Sequence, residues 1–551
     1  MKGSTLLLEL LKDYDVDRVF GLPGETSIPY YPEFAELQVI TRDERNAVYM
    51  ADAYARVSFK PGVVEGPSVG SPYMLPGVIE AYKSSSPVIV ITTDTDLYGE
   101  RMNMLTSLDQ TALFKPYTKE SITVTKADDL SHAVRRAFRL ATGGRPGPVH
   151  LRIPHHVLEE EGSIYLPPQR EFSRYPAQRP VADRDAVRLA VSALLDSSNP
   201  VIICGQGALY SRAWDEVVEL AELMGIPVGT TITGKGCISE LHPLSIGVVG
   251  GRGGTSFSNS FLEEADLIFL VGSNTDSANT DRWRYPPRTK TVIHLDVSEA
   301  EVGNNYNSIN LIGDAKATLR EIIREVRSRG VKRREVKVNR DEFEARVREI
   351  ASMSGERVNP VRFVKELERR VRDQVIVADP GVGAIYVSAL FRTGKAGRNF
   401  VFNYGLGGLG YAIPASVGAQ LGSGRQVLAM TGDGSFGFSA GELETIARLK
   451  SDVVLFVFNN SSFGWIRAEM RIQGRDVRGT DFSSLDYVKI AEGFGLRGYR
   501  ISTDQEIGDV LDEAMESTPS LVEVVVDPED KFYPPVAHWA RALLHDVKHV
   551  Y

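Results

Sequence analysis

Short uninterrupted runs of apolar, often β-branched residues alternate along this chain with stretches whose apolar positions recur every three or four residues. The runs Arg18–Phe20, Pro87–Thr92 and Pro148–Ile153 form a first group. Pro200–Cys204, Leu267–Val271 and Thr291–Asp296 form a second, and Val375–Ala378, Phe400–Phe402, Val427–Met430 and Val453–Phe458 a third. Strand-like runs separated by helix-length amphipathic segments predict parallel α/β domains. Two stretches break the rhythm. Residues 168–184 are polar and proline-containing, and residues 331–350 (VKRREVKVNRDEFEARVREI) carry dense charge of both signs. The latter reads as a solvated linker and helix rather than a basic recognition tract. The expected architecture is α/β, with three doubly wound parallel-sheet domains over residues 1–167, 185–330 and 355–551.

A chain of 551 residues needs more than one core, in keeping with that division. The formal net charge of −9 favours neither nucleic acid nor an anionic membrane surface. At the start, MKGSTLLLELLKDYDVD, the residues Glu9, Lys12 and Asp13 interrupt the leucines, so it reads as an amphipathic helix and not a signal peptide. No uncharged apolar stretch has the length of a bilayer span. Cys204 and Cys237 lack CxxC spacing, which supports neither a disulfide framework nor a zinc site, and a reducing cytoplasm is the expected location.

Chemistry concentrates in residues 427–460, VLAMTGDGSFGFSAGELETIARLKSDVVLFVFNN. This is one βαβ unit. Ser439 and Glu442 have capping-box spacing and predict a helix over Ala440–Lys450. A right-handed crossover brings the carboxyl ends of the two strands together, where open α/β sheets bind ligands. Asp433 stands at the end of one and Asn460 at the end of the other. A carboxylate and an amide oxygen are hard ligands suited to Mg²⁺, with positions left for phosphate oxygens and water. Gly432 and Gly434 allow close backbone approach to a diphosphate, and Ser435 adds a hydroxyl. The same residues read structurally as two adjacent βα turns. Gly405–Gly410 also spells GxGxxG after a strand-like run, with Asp433 about twenty residues on, which is a dinucleotide fingerprint and carries a nicotinamide oxidoreductase as the competing reading.

The GDG around Asp433, followed 27 residues later by the second Asn of an NN pair, resembles the signature of thiamine-diphosphate-dependent enzymes. That resemblance implies that Asp433, Asn460 and the main-chain carbonyl of Ser462 hold Mg²⁺ on the diphosphate, with Gly381, Gly407, Gly432, Gly434 and Ser435 lining the cofactor. It implies that Leu409, in GLGGLGYAIPASVGA, props the cofactor in a bent shape. Glu44, in ITRDERNAVYMADAYARVSFKPGVV, takes the place of the family's acid against the pyrimidine ring, although an acid in a first helical turn is also an ordinary helix-end charge. GLPG at 21–24, FKPYTK at 114–119 and GRPGPVHLRIP at 144–154 look like the pyrimidine-binding domain. GIPVGTTITGKG at 225–236, ADLIFLVGS at 265–273 and HLDVSEAEVG at 294–303 look like the central domain of acetolactate synthases. The three domains are therefore expected to be pyrimidine-binding, central and diphosphate-binding, with FAD a candidate second cofactor of the central one. In the family the pyrimidine and diphosphate domains of different subunits face each other, which implies a homodimer or homotetramer acting on a small 2-oxo substrate.

Three departures from acetolactate synthases bear on the substrate. Leu105-Thr106-Ser107 replaces their Phe-Gln-Glu, Glu469 replaces a pocket Trp, and Asn274 replaces a flavin-holding Arg. The decarboxylase pattern is absent as well: DTDLYGERMNML (94–105) has no His, and Ile466 stands where a second pocket acid would be. Glu25, Gln110, Trp465 and Glu469 are the pocket candidates, against structural readings of the first three as a turn carboxylate, an exposed amide and a packed indole. Glu25 and Glu469 are expected to disfavour a second anionic ketoacid relative to a neutral acceptor. Ligation, decarboxylation and hydrolysis of a 1,2-diketone all remain open, as does a non-catalytic relative, which would be expected to lack Glu44, Asp433 or Asn460.

Overall fold

The structure, a computed structural model, describes residues 1–99, 102–331 and 333–526. Residues 527–551 of the expected third domain, Glu100 and Arg101 of the His-free run, and Lys332 of the charged linker lie outside the described residues.

Eighteen strands among the described residues form three six-stranded sheets. The first contains β1 (Val19–Gly21), β2 (Gln38–Ile40), β3 (Gly62–Gly66), β4 (Val88–Asp94), β5 (Ser121–Thr123) and β6 (Val149–Pro154), in the order β2-β1-β3-β4-β6-β5. The second contains β7 (Pro200–Cys204), β8 (Val228–Thr230), β9 (Ser245–Val248), β10 (Leu267–Val271), β11 (Thr291–Asp296) and β12 (Ser308–Ile312), in the order β12-β11-β10-β7-β8-β9. The third contains β13 (Val375–Ala378), β14 (Phe400–Phe402), β15 (Val427–Gly432), β16 (Val453–Asn459), β17 (Arg497–Ile501) and β18 (Ser520–Val525), in the order β14-β13-β15-β16-β18-β17. The sheets are parallel, as expected from the sequence. Strands covered on both faces bury every residue, so β7 and β10 read as continuous apolar runs without alternation, and β4 and β16 as apolar runs closed by polar residues at their carboxyl ends.

Each sheet has a switch point near its middle, where connections leave to opposite sides: between β1 and β3, between β10 and β7, and between β13 and β15. Such switch points open a crevice at the carboxyl ends of the flanking strands. The loops after β13 and β15 carry Gly381 and Asp433, and those after β1 and β3 carry Glu25 and Gly70.

The chain divides into two compact units. One holds residues 1–178 together with 403–427 and 438–453; the other holds, of the described residues, those in 179–402, 428–437 and 454–526. In the first unit the helix Glu44–Ser58 starts on Asp43, whose carboxylate accepts the Arg45 and Asn46 N–H groups, and ends on Phe59 in a left-handed conformation. Its residues 46–56 are all buried, polar ones included. The helix Ala412–Ser423 explains why: a methyl group on Gly418 would stand 2.0 Å from the Met50 carbonyl oxygen, so only glycine permits this approach. In the second unit, wholly buried Lys235 donates to Glu240 at 2.6 Å and to the Ser388 and Phe391 carbonyls, tying a loop of the second sheet to the helix Val382–Leu390. Both cysteines are free and buried. No helix among the described residues is long and apolar enough to cross a membrane.

Candidate active site

Asp433 follows β15 directly and begins a single helical turn, Asp433–Phe436, in which Ser435 is also buried. Its carboxylate accepts the backbone N–H groups of Gly434 at 2.7 Å, Asn460 at 3.0 Å and Ser462 at 3.2 Å. Asn460 Oδ1 accepts the same Ser462 N–H at 3.1 Å, so the two side-chain oxygens converge. Burial pushes the Asp433 carboxyl up to about 6, against the pull of those N–H groups. No lysine or arginine pairs with it among the described residues, and the Ser462 hydroxyl is buried without a partner. The Ser462 carbonyl accepts the Gly464 N–H at 2.8 Å and keeps a second lone pair. Methyl groups added to Gly381 or Gly432 would meet nothing within 4 Å, so both glycines border open space. A buried carboxylate without a cation, an adjacent amide oxygen and an orphaned hydroxyl fit a Mg²⁺ ion carrying diphosphate oxygens. No group of three or more His, Cys, Asp or Glu side chains among the described residues could hold a metal, so a site built wholly of such ligands is not available there.

The loop after β16 is pinned from behind. Asn459, first of the NN pair, donates to Glu523 at 2.7 Å and accepts the Ser461 N–H at 3.0 Å, which makes it an anchor for the loop. The expected capping box at Ser439 and Glu442 does not form. The segment opens as a 3₁₀ turn, Ala440–Glu442, before the helix Leu443–Arg448. Ser439 bonds Asn46 and the Gly410 carbonyl, and Glu442 accepts from the Arg42 N–H, Asn46 and Thr445. Partners remote in sequence outcompete the local cap.

Glu44 is the first residue of its helix and half-buried; burial raises its carboxyl above the ordinary range, and Asp43 adds to the rise. Its carboxyl lies against Gly70, where a methyl group would stand 2.2 Å from Oε1. Close by in the same unit is an acid that the sequence reading passed over. Glu65, wholly buried at the end of β3, accepts the Tyr31 hydroxyl at 2.7 Å, while its Oε1 has no partner. Burial pushes it up to about 8; the hydroxyls of Tyr31 and Ser27 pull it down, and Glu44 pushes it further up. Buried polar atoms of Tyr30 and Gln38 are unpartnered too.

The GxGxxG stretch has another use than a dinucleotide. Buried Glu80 accepts the N–H groups of Gly405 at 3.2 Å, Leu406 at 2.7 Å and Gly407 at 3.2 Å. Arg56 ties Glu80 to Asp52, and Tyr411 donates to Asp52 at 2.6 Å. Amides that would cradle a pyrophosphate are satisfied by a protein carboxylate, which removes the basis of the dinucleotide reading. Beyond them, Gly407 borders open space at φ +78°, and Leu409 is half-buried.

The pocket candidates fall into both units. Glu25 is exposed on the turn after β1. Gln110 is wholly buried, donating to the Ser68 hydroxyl and the Thr93 carbonyl at 3.3 Å each, with Oε1 unpartnered; it is not an exposed amide. Trp465 and Glu469 lie four residues apart on the helix Gly464–Ile472, hence on one face, and both are half-buried. Ile466 is exposed. The structure thus gathers Glu44, Glu25, Gln110, Gly407 and Leu409 in one compact unit, and Gly381, Asp433, Asn460, Ser462, Trp465 and Glu469 in the other.

Comparison with known proteins converges on the same chemistry. The thiamine pyrophosphate enzyme family matches in three parts: its N-terminal TPP binding domain at residues 1–113, its central domain at 187–322 and its C-terminal TPP binding domain at 381–524. The chain is 32% identical to the probable acetolactate synthase large subunit of Methanocaldococcus jannaschii, over 96% of this chain and 93% of that one. It is 30% identical to the acetolactate synthase of Bacillus subtilis (96% and 94%) and 27% identical to the acetolactate synthase isozyme 3 large subunit of Escherichia coli (97% and 96%). With three matched domains and this full-length likeness, the chain belongs to the thiamine-diphosphate-dependent enzymes, among the acetolactate synthase-like large subunits.

Proposed function

We propose that this protein makes or breaks a carbon–carbon bond next to a carbonyl of a small 2-oxo compound, with thiamine diphosphate and Mg²⁺, and that ligation of the acetolactate synthase kind is its reaction. The observation that carries this is Asp433, a buried carboxylate met by three backbone N–H groups and, among the described residues, by no cationic side chain. Asp433, Asn460 and the Ser462 carbonyl would hold the metal. Thiamine diphosphate supplies, when bound, a carbon nucleophile and a store for an electron pair. The chain supplies the rest. Glu44 holds and returns a proton at its carboxyl, a task for which burial has prepared it by raising its affinity for protons. The neutral form of Glu65 keeps a second negative charge away from Glu44. Decarboxylation and 1,2-diketone hydrolysis are sister reactions that differ in the second reactant, which is a proton or water instead of a carbonyl compound.

Flavin is a separate question. At the β10–β7 switch point Gly205 and Gly207 lie backbone to backbone with Val271 and Gly272, an edge free of side chains. The residue that follows Ser273 there is Asn274, which offers no charge to a phosphate and accepts the Asp276 N–H at 3.4 Å; Asp296 accepts the Ser298 N–H.

Asp433→Ala tests the proposal. Calorimetry should register thiamine-diphosphate binding by the wild type that depends on Mg²⁺, and loss of that dependence in the variant. Products from pyruvate alone, pyruvate with 2-oxobutyrate, pyruvate with an aldehyde, and a 1,2-diketone then name the reaction. Equal affinity of variant and wild type for the Mg²⁺ complex would defeat the metal assignment.

A further inference from the structure

A cavity of about 20 Å³ lies beside β9, the edge strand of the second sheet, between its Gly247–Val248 end and the charged helix Asp341–Ser352. It has room for an occupant the size of a water molecule or a halide ion. The charged groups around it pair off, with one exception. Buried Lys235 meets Glu240 at 2.6 Å, Lys365 meets Glu368 at 2.8 Å, and Arg392 meets Glu344 at 3.1 Å. Arg340, half-buried on the cavity wall, is the cation left over. Its one hydrogen bond among the described residues runs from Nη2 to the Ser245 carbonyl at 2.8 Å, and none of their carboxylates lies within ion-pair distance of it.

Four cations thus face three carboxylates, and the surplus belongs to a residue that cannot shed its charge by losing a proton. Burial lowers the pKa of Arg340 and so does Arg392, while Glu240 and Glu344 raise it. The Phe257 ring, its centroid 5.5 Å from the guanidinium carbon, gives only a weak cation–π contact. The same cavity gathers hydrogen-bond donors. Arg392 lines it, and the Nε–H of that residue is buried without a partner. Thr255 and Phe257 line it where the helix Ser256–Glu264 begins. The Thr255 hydroxyl accepts the Ser258 N–H at 3.1 Å, which leaves the Ser256 and Phe257 N–H groups with no acceptor among the described residues. A helix start of this kind carries partial positive charge and favours anions. A water molecule would satisfy the donors but not the charge.

We propose that this cavity binds a small monovalent anion of the halide class, held by Arg340, Arg392 and the first turn of the helix Ser256–Glu264. Arg340 directly precedes the helix Asp341–Ser352, and Arg392 lies just past the helix Val382–Leu390. The anion therefore fastens the charged linker to the edge of the central sheet and to the third sheet's helical layer. None of these residues belongs to the candidate active site.

The test follows unfolding of the full-length protein in potassium chloride and in potassium gluconate, whose anion is too large for the cavity, at equal ionic strength. Chloride should raise the midpoint of thermal unfolding by about 2–6 °C, in a saturable way. Arg340→Met should abolish the difference between the two salts. Glu344→Gln removes a neighbouring negative charge and frees Arg392, so half-saturation should occur at about 3- to 10-fold less chloride. Wild-type crystals grown in bromide without chloride, measured at the bromine absorption edge, should show an anomalous peak in the cavity; this decides the matter even if Arg340→Met does not fold. Equal midpoints in the two salts, a saturable chloride effect that survives Arg340→Met, half-saturation unmoved by Glu344→Gln, or a cavity holding water without an anomalous peak would each overturn the assignment.

Discussion

Glu65 carries a quantitative consequence for stability. In the unfolded chain its carboxyl returns to the ordinary 4.5, whereas burial holds it near 8 in the folded protein. A raised folded value means that its contribution to stability is fully present below the unfolded value and is lost as pH rises through the folded one. The window is therefore about pH 4.5 to 8. At about 1.36 kcal/mol per pH unit the full loss is about 5 kcal/mol, most of it already incurred at neutrality. Glu65→Gln keeps the size and an oxygen for the Tyr31 hydroxyl but cannot ionise. Urea denaturation of both proteins from about pH 5 to 8.5 should therefore show the wild type losing ground to the variant by about 1.4 kcal/mol per pH unit, with the two curves converging on the acid side. Parallel curves across that range would refute the reasoning, because they would mean that Glu65 takes up no proton on folding.

Gly70→Ala would place a methyl group 2.2 Å from Glu44 Oε1, forcing that carboxyl to move by about 1 Å; turnover should fall about 100-fold with cofactor binding retained, as calorimetry and steady-state rates can check. If Glu44 and Asp433 of different subunits complete one site, then Glu44→Gln and Asp433→Ala, each inactive alone, should regain activity when coexpressed, since half the sites of a mixed dimer escape both lesions. No regain in verified mixed dimers would place both residues in the same chain's site. Purified protein reconstituted with FAD should retain little of it after gel filtration, because Asn274 leaves the flavin phosphates without their arginine; a stoichiometric flavin spectrum would show that another cation takes its place.

The strands were legible because parallel sheets covered on both faces demand unbroken apolar runs. Pro200–Cys204, Leu267–Val271, Thr291–Asp296, Val375–Ala378 and Phe400–Phe402 are strands to the residue. The GDG and NN elements were legible because strand ends in a βαβ unit are placed by the sheet itself. What escaped the sequence depends on partners far along the chain. Glu442 has cap spacing, but its oxygens serve Arg42 and Asn46. The glycines at 405–410 match a dinucleotide motif until Glu80 is found occupying their amides. Glu65 sits inside an apolar run, where an acid reads as an interruption and gives no sign of being a buried neutral group.

The discontinuous make-up of the first compact unit sets a condition on how the protein is born. Residues 1–178 leave the ribosome first, yet the helix that covers Glu44–Ser58 and the tyrosine that bonds Asp52 belong to residues 403–453, which arrive up to 275 residues later (453 − 178). At about 5–20 residues per second that interval is roughly 14–55 s. Throughout it, the face that will receive Gly418 and the Asp52–Arg56–Glu80 cluster has no lid, while the intervening chain can begin to assemble the second sheet. The nascent protein thus spends tens of seconds with an apolar surface waiting for its own later sequence, which makes that helix the natural place for a chaperone to hold it.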